Sequence, residues 1–155
     1  MKTLMRIWGM FPLWVHTLAA IILRPRFRVG VAALVFDEQG RVLLFKHTYR
    51  KFAWGIPAGS LEHREQPEHA VVREFREETG MQIEVQRLLL AESSKDDHHV
   101  SLIYVCRILS GEFRESNEIC EMRYFALDEL PAMMLSAEKD LVRRVTVMLN
   151  SPKGK

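Results

Sequence analysis

Cysteine is scarce in this 155-residue chain: Cys106 and Cys120 are the only two, and they stand in neither a metal-binding nor a redox spacing. That argues against a disulfide framework and a thiolate metal centre. It fits a reducing, cytoplasmic setting in which both thiols serve as small apolar side chains. Charge of one sign is lacking too, because 22 Lys and Arg against 20 Asp and Glu leave only +2. So small an excess gives no reason to expect nucleic acid as a partner. There is no internal repeat and no low-complexity run. An uninterrupted apolar stretch of about 20 residues, which a simple spanning helix needs, is also absent. Between Leu4 and Leu23, Arg6, Gly9, Pro12, His16 and Thr17 break the apolar sequence. The following "ILRPRFR" offers no small-residue cleavage site of the kind a signal peptide carries.

What is present is enough apolar sequence, 48% of residues, for one domain with a real core. Residues 1–27 read as an amphipathic helical extension, 28–150 as the domain and 151–155 as a tail. In the extension, Leu4, Ile7, Trp8, Phe11, Trp14, Val15, Leu18, Ile21 and Ile22 form one stripe at helical spacing. Arg6, Gly9, His16, Thr17, Ala20 and Arg24 lie opposite, Leu13 is the exception, and Pro12 starts or breaks the helix. Such a stripe is expected to pack on its own domain or on a second subunit, giving a homodimer. Contact with a membrane surface is the alternative, suggested by two tryptophans and the basic "RPRFR".

From Arg28 the pattern becomes that of strands and helices. "VGVAALVF", the turn "DEQG" and "RVLLFKH" predict a β-hairpin. Pro67 suits the first position of a helix and Gly80 the position just past its end, so residues 67–79 are expected to be helical, with Val71, Val72 and Phe75 on the buried side. "QIEVQRLLLAE" and "HHVSLIYVCRIL" predict two more strands, "EMRYFAL" another and "DELPAM" a short helical turn. Residues 136–149 close the chain as an amphipathic helix. The expected class is α/β, an α/β/α sandwich around a mixed, largely antiparallel sheet.

The helix 67–79 ends in an unusual way. Glu74, Glu77 and Glu78 crowd its last turns, where the macrodipole favours cations. Glu74 and Glu78, four apart, repel on one face. Hard oxygen donors at this spacing suit Mg²⁺ or Mn²⁺, which would relieve the repulsion and can bind phosphate oxygens as well. Arg73, four residues before Glu77, is placed to pair with it. The cluster belongs to a longer pattern, "GSLEHREQPEHAVVREFREETGM": Gly59, five residues, Glu65, seven residues, Arg73-Glu74-Phe75, one residue, Glu77-Glu78, one residue, Gly80-Met81.

This pattern resembles the signature of the Nudix hydrolase family, G-x5-E-x7-R-E-U-x-E-E-x-G-U, at every fixed position. The resemblance implies a Nudix-type sandwich and metal-assisted hydrolysis of a nucleoside diphosphate linked to another moiety. It implies Glu74 and Glu78 as primary metal ligands, Glu77 as a third and the carbonyl of Gly59 as an addition. Glu65 and Gly80 would support the box, and Arg73 would join the catalytic group. The general base would be a box glutamate or one from the later loop "SNEICEM", where Glu118 is preferred over Glu121. Lys46, His47, Arg50 and Lys51 form a basic segment suited to phosphate, and Trp54 lies near enough to stack on a base or sugar. His98 and His99 have no third ligand in spacing.

The substrate is less constrained. ADP-ribose-type relatives tend to carry a proline where Lys95, Asp96 and Asp97 stand, the tyrosine of diadenosine-polyphosphate enzymes is replaced by His98 and His99, and the coenzyme A signature is missing. A nucleotide sugar or a nucleoside triphosphate is expected, with an ADP-ribose-like compound in the same class. Two alternatives differ in kind: a nucleotide sensor without turnover, and an isopentenyl-diphosphate-type isomerase, which would need a catalytic cysteine.

Overall fold

The computed structural model describes residues 11–23, 26–93 and 98–150. Leu4, Ile7, Trp8, Arg24 and the residues 94–97 that bear on the substrate lie outside them. The described elements run α1 (Leu13–Leu23), β1 (Arg28–Val35), β2 (Val42–His47), β3 (Trp54–Gly55), β4 (Ala58–Ser60), α2 (Pro67–Thr79), β5 (Gln82–Ser93), β6 (His99–Ser110), β7 (Ile119–Phe125) and α3 (Ser136–Asn150).

Two sheets form, in the orders β4-β1-β6-β5 and β3-β2-β7. Among the described residues only the β1–β6 ladder is parallel, and the other four are antiparallel. β1 and β2 therefore do not form the expected hairpin. The turn is hairpin-like, closed by Gly40 N–H to the Asp37 carbonyl and by the Asp37 carboxylate on the Gln39 and Arg41 amides. Past the single bridge Phe36–Val42 the strands part. A strand has two edges, and here both are taken: β1 by β4 and β6, β2 by β3 and β7.

The parting lets both strands be buried on both faces, which is why they read as continuous apolar runs. Val31, Ala33, Val35, Leu43 and Phe45 join Val71 and Phe75 of α2 in one core. Ala32, Leu34, Val42 and Leu44 join Ile56, Met134, Val142 and Val145 in the other, beneath α3. Two helices thus sandwich two sheets. Cys106 is buried in the first core, which pushes its thiol up to about 12, and the Cys120 thiol donates to the Lys46 carbonyl.

α2 has the expected limits, with Pro67 in its first turn and Gly80 at φ 74° donating its N–H to the Arg76 carbonyl at 2.8 Å. The expected helical turn in "DELPAM" is instead two hydrogen-bonded turns, Glu129 N–H to Ala126 O and Met134 N–H to Pro131 O. β3 and β4 arise within a stretch whose turn-forming composition concealed them. α1 starts directly after Pro12, and none of its residues with described side chains joins either core.

Candidate active site

Three pieces of chain meet around the acidic end of α2. β4 runs along the edge of its sheet, with Gly59 opposite Val31 of β1. Leu61 N–H donates to Val29 O and Ala33 N–H to Pro57 O. By the two-residue repeat of an antiparallel ladder, Gly59 turns its own amide and carbonyl to β1, while Ala58 and Ser60 point theirs off the edge. Ser60 shows this directly: its N–H donates to Glu74 Oε1 at 3.0 Å and its carbonyl accepts from Arg73 at 3.0 Å. The expected Gly59 carbonyl ligand is therefore corrected. Its oxygen serves the ladder, and the backbone oxygen facing outward beside it is that of Ala58.

Gly59 has another part. A Cβ at this position would lie 2.0 Å from the Glu74 carboxyl carbon, so only glycine lets that side chain lie across the strand. Arg73 sits at the centre of the box. It grips Glu65 with two parallel hydrogen bonds of 2.8 and 2.9 Å and reaches Glu74 at 3.1 Å and Glu77 at 3.2 Å. Glu65 is pulled well below the usual carboxylate range by the Arg73 hydrogen bonds, and Arg73 is raised in turn. Glu65 also accepts the Glu62 N–H, fixing the loop that leads into α2.

Glu74, Glu77 and Glu78 line a cleft of about 250 Å³, whose other wall is Ser116, Asn117 and Glu118. The loop is held by Thr48, whose N–H donates to the Glu118 carbonyl and whose hydroxyl donates to that of Asn117. Glu118 thus faces the box across the cleft. Glu121 does not: it lies in β7, bonded to Lys46 and Arg123, which together lower it. Glu78 is only 8% exposed and its Oε2 has no hydrogen-bond partner. Burial first, then the Glu74 and Glu118 carboxylates, push it up to about 8, with Arg50 opposing. Among the described residues no three such side chains close around a single point, since Glu74 is drawn aside by Ser60 and Arg73. The donor set nonetheless fits a hard divalent cation: ionisable carboxylates crowd one cleft, and a buried oxygen there is unsatisfied.

Of the basic segment, Arg50 stands against the Tyr49 ring with its charge acting on Glu78, Lys46 is committed to Glu121, and Lys51 is exposed in the loop before β3. Trp54 does not line the cleft: half-buried, it packs edge-on against Phe125 at 4.8 Å, under Arg123 and Lys46, against the core beneath α3. His98 stands edge-on to Phe27, and His99 lies over Gly30. Neither cysteine lines the cleft, which leaves the isomerase without its nucleophile there.

The sequence reading missed a second polar group beside the cleft. His47 is 3% exposed with both ring nitrogens unpartnered, and burial with the nearby Arg50 lowers it to about 4. Glu138 of α3 accepts the Ile56 N–H but leaves Oε2 buried and unpartnered, and burial raises its carboxyl. Both face Gly55, where a Cβ would come within 3.1 Å of Glu138 and 3.6 Å of His47. The Arg50 charge acts on His47 and Glu138 as it does on Glu78. A signal existed, since Glu138 lies at i, i+4, i+7 spacing with Val142 and Val145 on the apolar face of α3.

Residues 26–145 match the family model described as NUDIX domain. The chain is 32% identical over 111 residues to an ADP-ribose pyrophosphatase of Methanocaldococcus jannaschii, covering 68% of this chain and 66% of that protein. It is 34% identical over 110 residues to a MutT-like protein of Streptomyces ambofaciens, covering 71% of each. Among solved structures, a MutT NUDIX hydrolase from Burkholderia pseudomallei superposes with a TM-score of 0.65 at 34% identity, over 78% of this chain and 99% of that one.

Proposed function

The chain belongs to the Nudix hydrolase family, and on that premise we propose that it hydrolyses the diphosphate linkage of a nucleoside diphosphate derivative with Mg²⁺ or Mn²⁺. The observation that carries this reading is the single cleft walled by Glu74, Glu77, Glu78 and Glu118, with one buried glutamate oxygen left unsatisfied. Glu74, Glu77 and Glu78 would hold the metal, with the outward carbonyl of Ala58 beside them. The cation, when bound, neutralises diphosphate charge and polarises the phosphorus under attack.

The remaining work belongs to the chain. Arg73 and Glu65 fix the carboxylates by a rigid bidentate pair, so little reorganisation is needed at the moment of reaction. Glu118 faces them and accepts the proton of the attacking water as the new P–O bond forms and the anhydride P–O bond breaks. Arg50 offers a positive charge at the mouth, where the leaving phosphate gathers charge. ADP-ribose, nucleotide sugars and nucleoside triphosphates all contain such a linkage.

The test is release of phosphate or nucleoside monophosphate from a panel of these three classes, with and without Mg²⁺. Glu78→Gln should reduce the metal-dependent rate by about 10²-fold or more, as expected for loss of transition-state charge stabilisation. An unaltered rate would overturn the ligand assignment. Nucleotide binding without cleavage of any panel member would favour the sensor.

A further inference from the structure

The first 28 residues contain Lys2, Arg6, Arg24, Arg26 and Arg28 and no acidic residue. They carry +5, so the remaining 127 residues carry +2 − 5 = −3. Net positive charge is thus concentrated in the segment that contains α1, because no acidic residue offsets its arginines there.

α1 itself is apolar where it meets solvent. Leu13 is 83% exposed, Trp14 67%, Leu23 79% and Leu18 about half, and Phe27 just beyond is half-exposed. Leu13, the exception to the expected stripe, is exposed together with Trp14 and Leu18 of the stripe, while Val15 is half-buried. Its two polar side chains are satisfied within the segment. Thr17 donates to the Leu13 carbonyl at 3.0 Å, and a His16 ring nitrogen lies 3.0 Å from the Phe11 carbonyl. A helix that meets its own polar needs can leave water at small cost.

Three occupants are conceivable for such a face: the domain, a second copy, or lipid. The domain does not cover Leu13, Trp14 and Leu18, which stand exposed. A two-fold contact between copies would bring two segments of +5 together. An anionic lipid surface instead offers the opposite charge to the arginines and an acyl boundary to Trp14 and the leucines. The 11-residue helix is about 16 Å long, well short of the roughly 30 Å hydrocarbon thickness, so it would lie in the interface and not cross it. We propose that α1 and its flanking arginines dock this enzyme on anionic membrane surfaces, with Trp14, Leu13 and Leu18 entering the headgroup–acyl boundary. The acidic remainder of the chain would then be held off the surface by repulsion, its cleft open to substrate.

The experiment is co-flotation of the full chain with vesicles of phosphatidylcholine alone or mixed 7:3 with phosphatidylglycerol. The wild type should float with the mixed vesicles and not with the neutral ones. Its partitioning should fall by about fivefold for each of Arg24→Gln and Arg26→Gln, the effect of roughly one surface charge. It should fall by tenfold or more in the Trp14→Ser/Leu18→Gln double variant, and all variants should keep wild-type circular dichroism. Absence from both vesicle types, or equal flotation with both, would overturn the proposal. So would a dimer in sedimentation that the Trp14→Ser/Leu18→Gln change converts to monomer, because a second copy would then cover the face. None of these readouts depends on turnover, so failure of the hydrolase reading would leave the result intact.

Discussion

Gly59→Ala isolates the steric requirement of the box. The new Cβ would stand 2.0 Å from Cδ of Glu74, 2.3 Å from Cγ and 2.4 Å from Oε1. An ordinary carbon–carbon contact needs about 3.5 Å, so the carboxyl group must retreat by about 1.5 Å. Glu74 is a flexible, partly exposed side chain, and it can move without displacing β4 or α2. The retreat sacrifices the 3.0 Å bond from Ser60 N–H, a charge-assisted hydrogen bond. At a partly exposed site this should cost about 1–2 kcal/mol, which for a chain of this size lowers Tm by about 3–8 °C. Turnover should suffer far more. Displacing a metal-binding carboxylate by more than about 1 Å is expected to reduce kcat by about 10²-fold. The assay is Mg²⁺-dependent turnover of the best panel substrate, alongside thermal melting followed by circular dichroism. A variant with kcat within threefold of wild type would refute the placement of Glu74. A variant that failed to fold would show that the backbone, not the side chain, takes up the clash.

Other perturbations test separate parts of the site. Glu78, raised from 4.5 to about 8, binds a proton in the folded chain over a range where the unfolded chain has lost it. Its contribution is fully present below pH 4.5 and lost as pH rises through 8. The Tm measured in EDTA should therefore drift down from pH 5 to 8, and Glu78→Gln should flatten that drift. His47 has the opposite sign: lowered from 6.5 to about 4, its contribution is present above pH 6.5 and lost as pH falls towards 4. An NMR titration should find its ring neutral at pH 5.5; a midpoint near 6.5 would contradict its burial. Arg73→Lys keeps the charge but loses the parallel pair to Glu65, so Tm should fall by about 4–8 °C; an unchanged Tm would mean the pair is only decorative.

The box was legible because its residues are related through a helix. Arg73, Glu74, Glu77 and Glu78 stand at separations that a 3.6-residue period turns into one surface, whatever surrounds them. Pro67 and Gly80 set the ends of α2 for equally local reasons. Glu118 was singled out by the family resemblance, which implies a glutamate in the loop before that strand. The hairpin reading failed for a non-local reason: the turn at Asp37–Gly40 is real, but β4, β6, β3 and β7 compete for the edges it would have joined. Trp54 lies off the cleft lining, because nearness in sequence to the box says nothing about which face of a two-residue strand a side chain takes.

The sequence by itself determined that α2 exists, where it stops, that its carboxylates share a face and that the first 28 residues are basic. Each of these follows from short-range geometry or from a sum of charges. The tertiary structure alone decided that Glu118 closes the cleft, that the Gly59 carbonyl turns to β1 while Ala58 faces out, and that His47 and Glu138 meet over Gly55. Those outcomes depend on which strand edges remained available and on how α3 settles over the second core, and neither is encoded in any single stretch of the chain.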